Sequence, residues 1–247
     1  MPGIDFTDVL WKKQREYMED LHSSNYWSRF KSFRNVFNYF EPGQTVAQIA
    51  CGSINNDLFL TMDKVGKDGK IILIDEEPDF IYNRVSSIIG NLPKEKNFYI
   101  KTEEGKKQLQ EMFSRANVEA YVQHLPPYPK QILDESLDHV MAINAAFELT
   151  AQRAGGPKAN PEGIVVETYR KLKKGGSLIV QGLLLGDVDM FKRVVNEASE
   201  KNELDFKEEY ELKFPPLERY GAGEWKRWVK FPSSCSKSST EMGDKSY

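Results

Sequence analysis

Cysteine is scarce in this chain of 247 residues, which contains Cys51, Cys235 and no other thiol. The two lie far apart and lack metal-ligand spacing, so the sequence predicts neither a disulfide framework nor a metal site and fits a reducing, cytoplasmic compartment. No apolar run approaches the roughly 20 residues of a membrane span. The first residues also lack the basic patch and apolar stretch of a signal peptide. We therefore expect no membrane association.

An excess of charge of either sign is also missing. The chain has 34 basic and 37 acidic residues, for a formal net charge of -3. Proteins that bind nucleic acid through its phosphates usually carry a basic excess, so the composition does not favour a nucleic-acid partner. Hydrophobic residues make up 40% and charged residues 29%, which is ordinary for a globular protein of one large or two small α/β domains.

Strand-like and helix-like apolar patterns alternate along the chain. The predicted strands are 45–50, 70–75, 118–124, 137–144 and 177–185, followed by an antiparallel pair at 205–214 and 225–231. The predicted helices are 57–65, 79–89, 104–116, 164–172 and 188–202, with "KKGG" as the turn after the fourth. This order predicts an α/β fold with a doubly wound, mostly parallel seven-stranded sheet that ends in an antiparallel hairpin.

Three regions follow from the same patterns. Residues 1–43 are predicted to form an N-terminal helical cap of two helices, separated at "HSSN". Residues 44–232 form the sheet domain, and the Ser-rich residues 233–247 form a flexible tail. In doubly wound sheets ligands bind outside the carboxyl ends of the strands, at the topological switch point. The loop "ACGSINN" after the first strand is therefore the first candidate for a site.

The order of the motifs over roughly residues 44–232 resembles the class I S-adenosylmethionine-dependent methyltransferases, especially those that act on small molecules. "VAQIACGS" resembles the first motif of that family, "KIILIDEEPDFI" the second, "LDHVMAIN" the fourth, and "YRKLKKGGSLIVQ" the approach to the fifth strand. The resemblance implies a Rossmann-like fold, S-adenosylmethionine as the cofactor and methyl transfer to a small-molecule acceptor.

The first motif departs from the family pattern. Gln48 stands where the family usually has an acid, and Ala50 and Ile54 stand where it has glycines. If the backbone at position 50 is left-handed, alanine costs roughly 1 kcal/mol there. The alternative is therefore a catalytically inactive, methyltransferase-like binding or partner subunit. A nicotinamide-dependent oxidoreductase would need Gly-x-Gly-x-x-Gly, which this loop does not supply.

The resemblance implies a set of cofactor contacts at the ends of the first four strands. Asp75 would accept hydrogen bonds from the ribose hydroxyls, with Glu76 as a second acid. Cys51 is interpreted as a packing or backbone contact. The predicted cofactor-binding residues are Gln48, Ala50, Cys51, Gly52, Ser53, Asp75, Glu76, Gln123, His124 and Asn144.

Candidates for the chemistry and for the acceptor are fewer. His124 is a candidate general base, with an adenine-edge or surface role as the alternative, whereas His139 is interpreted as structural. Tyr17, Tyr26 and Trp27 either shape the acceptor pocket or pack on the sheet edge. The loop at 151–163 is either a lid or a solvent loop.

Overall fold

Strands and helices alternate along the chain in the order that the apolar periodicity predicts. The computed structural model describes residues 5–23, 36–53, 55–90, 92, 94–143, 145, 149, 160–182, 187–213 and 224–231. Within these residues the helices are α1 (Phe6–Ser23), α2 (Asn56–Val65), α3 (Phe80–Ile89), α4 (Lys96–Lys101), α5 (Glu103–Ser114), α6 (Pro161–Lys171) and α7 (Asp187–Asn202), with a 3-10 helix at Val36–Tyr39. The strands are β1 (Thr45–Ile49), β2 (Lys70–Asp75), β3 (Val118–Val122), β4 (Leu137–Ala142), β5 (Leu172–Gly182), β6 (Phe206–Lys213) and β7 (Glu224–Lys230).

The strands form one seven-stranded sheet in the order β3-β2-β1-β4-β5-β7-β6. The first five strands pair in parallel, and β7 pairs antiparallel with both β5 and β6. The predicted mostly parallel sheet with a C-terminal antiparallel hairpin is thus confirmed. The order reverses at β1, which lies between β2 and β4.

Two apolar cores cover the two faces of the sheet. The first contains apolar side chains of α1, α2, α3 and α5, and the second contains those of α6 and α7. The ring centroids of Phe6 and Phe113 lie 5.4 Å apart, as do those of Tyr17 and Phe59. Helix α1 is therefore part of the first core. None of the described helices is long and apolar enough to cross a membrane.

The described structure differs from the sequence prediction at several elements. Helix α6 begins at Pro161, inside the loop predicted at 151–163, of which residues 151–159 lie outside the described residues, and β4 ends at Ala142. Helix α4 was not expected in the connection between α3 and β3. Strand β5 begins at Leu172, and "KKGG" lies inside it as an irregularity, because Leu137 pairs with Leu172 and His139 with Ser177. Gly175 has a φ of 80° there, so the turn that the glycines predict is present without ending the strand. Strand β3 ends at Val122, so Gln123 and His124 follow it.

Parts of the predicted organisation lie outside the described residues. The second N-terminal helix was expected from about residue 24 onward, and residues 24–35 are not described; the 3-10 helix at Val36–Tyr39 follows them. The tail at 233–247 is also outside. The boundaries of the cap and the tail therefore stay predictions.

His139 connects β4 to its neighbours near the amino edge of the sheet. Its side chain is 4% exposed, Nδ1 lies 2.8 Å from the Ser177 hydroxyl, and Nε2 lies 3.0 Å from Oε1 of Gln44. An amide oxygen only accepts, so Nε2 carries the proton and Nδ1 accepts from Ser177. Burial, together with the Arg227 cation, lowers the pKa of His139 to about 4.

The depressed pKa of His139 predicts an acid-dependent loss of stability. Unfolded histidine binds its proton near pH 6.5, whereas folded His139 binds it only near 4. Stability is therefore full above about pH 6.5 and falls as the pH drops toward about 4, by up to roughly 1.4 kcal/mol per pH unit. His139→Gln cannot titrate, so the difference in urea midpoint between wild type and this variant should narrow between neutral pH and about pH 4.5.

The matched control is His22→Gln, since His22 is exposed at the end of α1. Its midpoint should follow that of the wild type at both pH values. A difference between wild type and His139→Gln that stays constant with pH would contradict the assignment of a neutral, buried His139.

Candidate functional site

The candidate site lies where β1 and β2 leave the sheet together. Ile49 pairs with Ile74 at the ends of the two parallel strands. The loop at 50–55 and the turn after Asp75 therefore emerge side by side at the carboxyl edge, next to the point where the strand order reverses. This is the position at which doubly wound sheets bind ligands.

The loop after β1 has a left-handed backbone at two positions. Ala50 has a φ of 48° and Gly52 a φ of 56°. A glycine adopts this conformation freely, whereas an L-residue with a Cβ loses roughly 1 kcal/mol or more. The strain that the sequence predicted for alanine at position 50 is therefore present. Ser53 is exposed, and Ile54 lies outside the described residues.

Asp75 ends β2 and ties the loop to the following turn. Its side chain is 7% exposed. Oδ2 accepts a hydrogen bond from the Gly52 N–H at 2.7 Å, and Oδ1 accepts one from the Glu77 N–H at 2.9 Å. Each carboxylate oxygen has two lone pairs, so Asp75 retains the capacity to accept further hydrogen bonds.

Gln48 lies beneath α2 rather than at the surface of the loop. Its side chain is 1% exposed, and its amide N–H donates to the Thr61 hydroxyl at 2.8 Å and to the carbonyl of Asp57 at 3.3 Å. Its Oε1 is buried and has no hydrogen-bond partner among the residues that the structure describes. The position that the family pattern gives to an acid thus holds an amide that joins β1 to α2.

Arg84 is the site residue that sequence reasoning missed. It lies on α3 and is fully buried. Its Nη2 donates to the carbonyl of Cys51 at 2.6 Å, and its Nε donates to the carbonyl of Gly52 at 2.9 Å. One signal was visible in the sequence, because Phe80, Arg84 and Ile88 follow at four-residue spacing and therefore place a cation on the apolar face of the helix.

Two further polar side chains join the loop to Arg84. The Asp57 carboxylate, in the first turn of α2, lies 3.4 Å from Nη2. Asn55 precedes α2, its Oδ1 lies 3.4 Å from Nη1, and its amide donates to the hydroxyl of Ser87 at 2.6 Å. The loop and the start of α2 are therefore bound to α3.

Burial sets the protonation of the groups around Arg84. It raises the pKa of the Cys51 thiol to about 12, against the opposing effect of the Arg84 cation. The thiol is therefore neutral near pH 7, which agrees with its interpretation as a packing contact. Burial also raises the pKa of Asp57, while the neighbouring Asp57 carboxylate raises that of Arg84 despite its own burial.

Glu76 and His124 lie together at the β2–β3 side of the site. Nδ1 of His124 is 2.7 Å from Oε2 of Glu76, and the two side chains are 39% and 36% exposed. Because a carboxylate only accepts, Nδ1–H donates, and in the neutral imidazole Nε2 is then an acceptor. The side-chain amide of Gln123 donates to the carbonyl of Pro127, so it bonds within its own turn.

The remaining candidates are only partly accounted for. Tyr17 is half-buried and packs on Phe59 of α2, in the first core. Asn144, Tyr26 and Trp27 lie outside the described residues. The structure thus brings Ala50, Cys51, Gly52, Ser53 and Asp75 together, and places Glu76 with His124 beside them.

Comparison with known proteins identifies the fold. No protein-family model matches the chain, and no curated protein matches it in sequence. A methyltransferase from Aquifex aeolicus described as S-adenosylmethionine-dependent is similar in structure, with a TM-score of 0.51 at 14% identity over 91% of this chain and 98% of that one. A candidate methyltransferase from Haloferax volcanii, in complex with the Trm112 methyltransferase activator, gives 0.51 at 14% identity over 91% and 97%.

A candidate rRNA methylase from Clostridium thermocellum gives a TM-score of 0.50 at 17% identity over 83% of this chain and 96% of that one. At these identities the similarity concerns the fold. The chain therefore has the fold of the class I S-adenosylmethionine-dependent methyltransferases.

Proposed function

We propose that this chain binds S-adenosylmethionine at the carboxyl edge of β1 and β2 and transfers its methyl group to a small-molecule acceptor. The observation that carries the proposal is the arrangement of Asp75 and the loop. An acid at the end of β2 faces the backbone of residues 50–53, and its Oδ2 lies 2.7 Å from the Gly52 nitrogen. The fold supports the same ligand, since this edge is where it leaves room for one.

Different residues of the site would bind different parts of the cofactor. Asp75 would accept hydrogen bonds from the ribose hydroxyls, and charge-assisted bonds of this kind are strong. The Ser53 N–H and the first N–H groups of α2 would hold the amino-acid part, while the Gly52 N–H donates to Asp75. The cofactor supplies an electrophilic methyl group. The chain contributes mainly positioning, because an acceptor held in line needs little further activation.

The sheet order favours an adenine-side role for His124 over general-base catalysis. In the strand order, β3 follows β2 at one end of the sheet, whereas β4 lies on the other side of β1. If Asp75 holds the ribose, His124 and Glu76 lie on the outer side, away from the β1–β4 switch point. The acceptor nitrogen Nε2 of His124 then suits the exocyclic amine of adenine, which is a donor.

The acceptor class rests on charge. The near balance of 34 basic and 37 acidic residues favours a small molecule over a polyanion. The fold does not decide this point, because a candidate rRNA methylase and a protein in complex with Trm112 share it. Release of S-adenosylhomocysteine with small-molecule acceptors, compared with release in the presence of rRNA or protein, discriminates between these classes.

A second candidate is a non-catalytic, methyltransferase-like binding or partner subunit. One observation favours it: Asp75 already binds both the Gly52 and Glu77 N–H groups, so the loop is drawn toward the acid that would hold the ribose. Ala50 and Gln48 at positions of the first motif agree with this reading. If the chain does not bind S-adenosylmethionine, the non-catalytic function is supported.

One prediction of this function concerns the affinity of the chain for the cofactor. Calorimetric titration with S-adenosylmethionine and S-adenosylhomocysteine should show binding to the wild type. Asp75→Asn should weaken it by roughly 10- to 100-fold, as expected for the loss of hydrogen bonds to a charged group.

Asp138→Asn is the matched control. Asp138 also accepts a backbone N–H, that of Thr45 at 2.8 Å, and an ammonium group, that of Lys173 at 2.9 Å, but it lies at the amino edge of the sheet. The Asp138→Asn variant should bind the cofactor with an affinity within about twofold of the wild type. Equal loss in both variants, or no binding to the wild type at millimolar cofactor, would count against the proposed site.

The second prediction separates the two roles of His124. An adenine contact predicts that His124→Gln weakens S-adenosylhomocysteine binding by roughly 3- to 10-fold, the value of one ordinary hydrogen bond. The effect should be absent with S-inosylhomocysteine, in which the exocyclic amine is replaced by a carbonyl. Unchanged affinity for both ligands together with a large fall in kcat would instead identify His124 as the general base.

A further inference from the structure

The backbone of the loop between β1 and α2 is held on its inner side by one buried cation. Arg84 reaches it from α3, which follows the next strand. Its bonds to the carbonyls of Cys51 and Gly52 are 2.6 and 2.9 Å long, whereas its nearest approach to the Asp57 carboxylate is 3.4 Å. The shortest contacts of the guanidinium are thus with the loop carbonyls, and the Asp57 carboxylate lies farther away.

Because the peptide group is planar, these hydrogen bonds also fix the direction of the N–H groups in the loop. In a planar trans peptide the C=O and the N–H point in opposite directions. The Cys51 carbonyl shares its peptide with the Gly52 N–H, which donates to Asp75 at 2.7 Å. This one peptide is therefore held from both sides, by Arg84 at its oxygen and by Asp75 at its nitrogen.

The next peptide is held from the same side. Its oxygen, the Gly52 carbonyl, accepts from Nε of Arg84 at 2.9 Å, so its N–H, which belongs to Ser53, is directed away from Arg84. Ser53 is exposed, whereas Arg84 is fully buried. The Ser53 N–H is consequently turned to the outer, ligand-facing side of the loop.

Asp57 and Asn55 keep the guanidinium in place. A buried cation is costly unless it is paired and its donors are satisfied. Asp57 supplies the counter-charge, Asn55 accepts from Nη1 at 3.4 Å, and the loop carbonyls accept the remaining bonds. Arg84 fits this task better than lysine would, because its planar fork presents several donors in fixed directions.

We propose that Arg84 is a positioning residue of the cofactor loop: by binding the carbonyls of Cys51 and Gly52 it directs the Gly52 N–H to Asp75 and the Ser53 N–H to the ligand side. This inference rests on the proposed cofactor site. Its physical role is to fix peptide orientations in a loop that has Ala50 and Ile54 where the family pattern has freely adjustable glycines.

The test compares Arg84→Met with a control variant that removes a buried cation far from the loop. Lys230→Met removes another buried cation, which donates to the Leu172 carbonyl at 2.8 Å and lies 3.3 Å from the Glu135 carboxylate. It ends β7 at the amino edge of the sheet, away from the loop. Both variants should lose stability. Arg84→Met should also weaken S-adenosylhomocysteine binding by roughly 30-fold or more, while Lys230→Met should stay within about twofold of the wild type.

Amide NMR provides a readout that needs no cofactor. In Arg84→Met the amide-proton signals of Gly52 and Ser53 should both shift, and that of Gly52, which donates to Asp75, should also exchange faster with solvent. The signals of β4 and β5 should stay unchanged. The double variant with Asp75→Asn should lose less affinity than the product of the two single losses, because both side chains act on the same peptide.

The outcomes distinguish failure of the proposed cofactor site from failure of the role proposed for Arg84. If the wild type does not bind S-adenosylhomocysteine, the proposed function fails and the Gly52 and Ser53 amides alone decide on the role of Arg84. Folded Arg84→Met with affinity within about threefold of the wild type and unshifted loop amides overturns the inference. If Arg84→Met does not fold, Arg84→Lys, which keeps the charge but not the fork, is judged by the same two readouts.

Discussion

The parallel pairing of β1 with β2 on one side and with β4 on the other is the constraint on which the site depends. Because Ile49 pairs with Ile74, the chain leaves both strands at the same level of the carboxyl edge. That register brings the Gly52 N–H within hydrogen-bond distance of Asp75, although the two residues are 23 positions apart in sequence. It also places α2 and α3 on the same face of the sheet, which lets Arg84 of α3 reach the loop and the start of α2. A shift of one residue between β1 and β2 would turn these side chains to the wrong face.

The loop after β1 combines a strained alanine with a buried side chain that binds the loop backbone. Ala50 adopts a left-handed conformation at some cost, with a φ of 48°. The two carbonyls that follow Ala50, those of Cys51 and Gly52, are both bound by the buried guanidinium of Arg84. The consequence is that the shape of the loop is coupled to the packing of α3. Asp57 and Asn55 extend this coupling to the start of α2, so the loop and the two helices form one hydrogen-bonded unit.

The two edges of the sheet use buried polar groups differently. At the amino edge, His139 bonds Ser177 and Gln44, and Asp138 accepts the N–H of Thr45, so these groups join the strands to one another. At the carboxyl edge, Asp75 and Arg84 act on loop backbone, which leaves acceptor and donor capacity directed outward. Gln48 belongs to the first kind despite its place in the first motif, because its side-chain N–H groups join β1 to Thr61 and to the Asp57 carbonyl of α2. The contrast explains why the edge with the switch point is the one with a candidate site.

The sequence by itself determined the fold class, a mostly parallel seven-stranded sheet with a C-terminal antiparallel hairpin, and it placed Asp75 at the end of the second strand, because these depend on apolar periodicity and on local motifs. The order of the strands in the sheet came only from the tertiary structure. The sequence also anticipated the strain at Ala50, which follows from the geometry of a single residue. It did not show the role of Arg84, since the partners of that side chain lie 27 to 33 positions away and only packing brings them together. Nor did it show that Gln48 is turned beneath α2, that "KKGG" lies within β5, or that His124 pairs with Glu76 across 48 positions. Such contacts arise from the tertiary structure, because hydrogen bonds between distant segments depend on how helices and strands are docked and leave no period in the sequence.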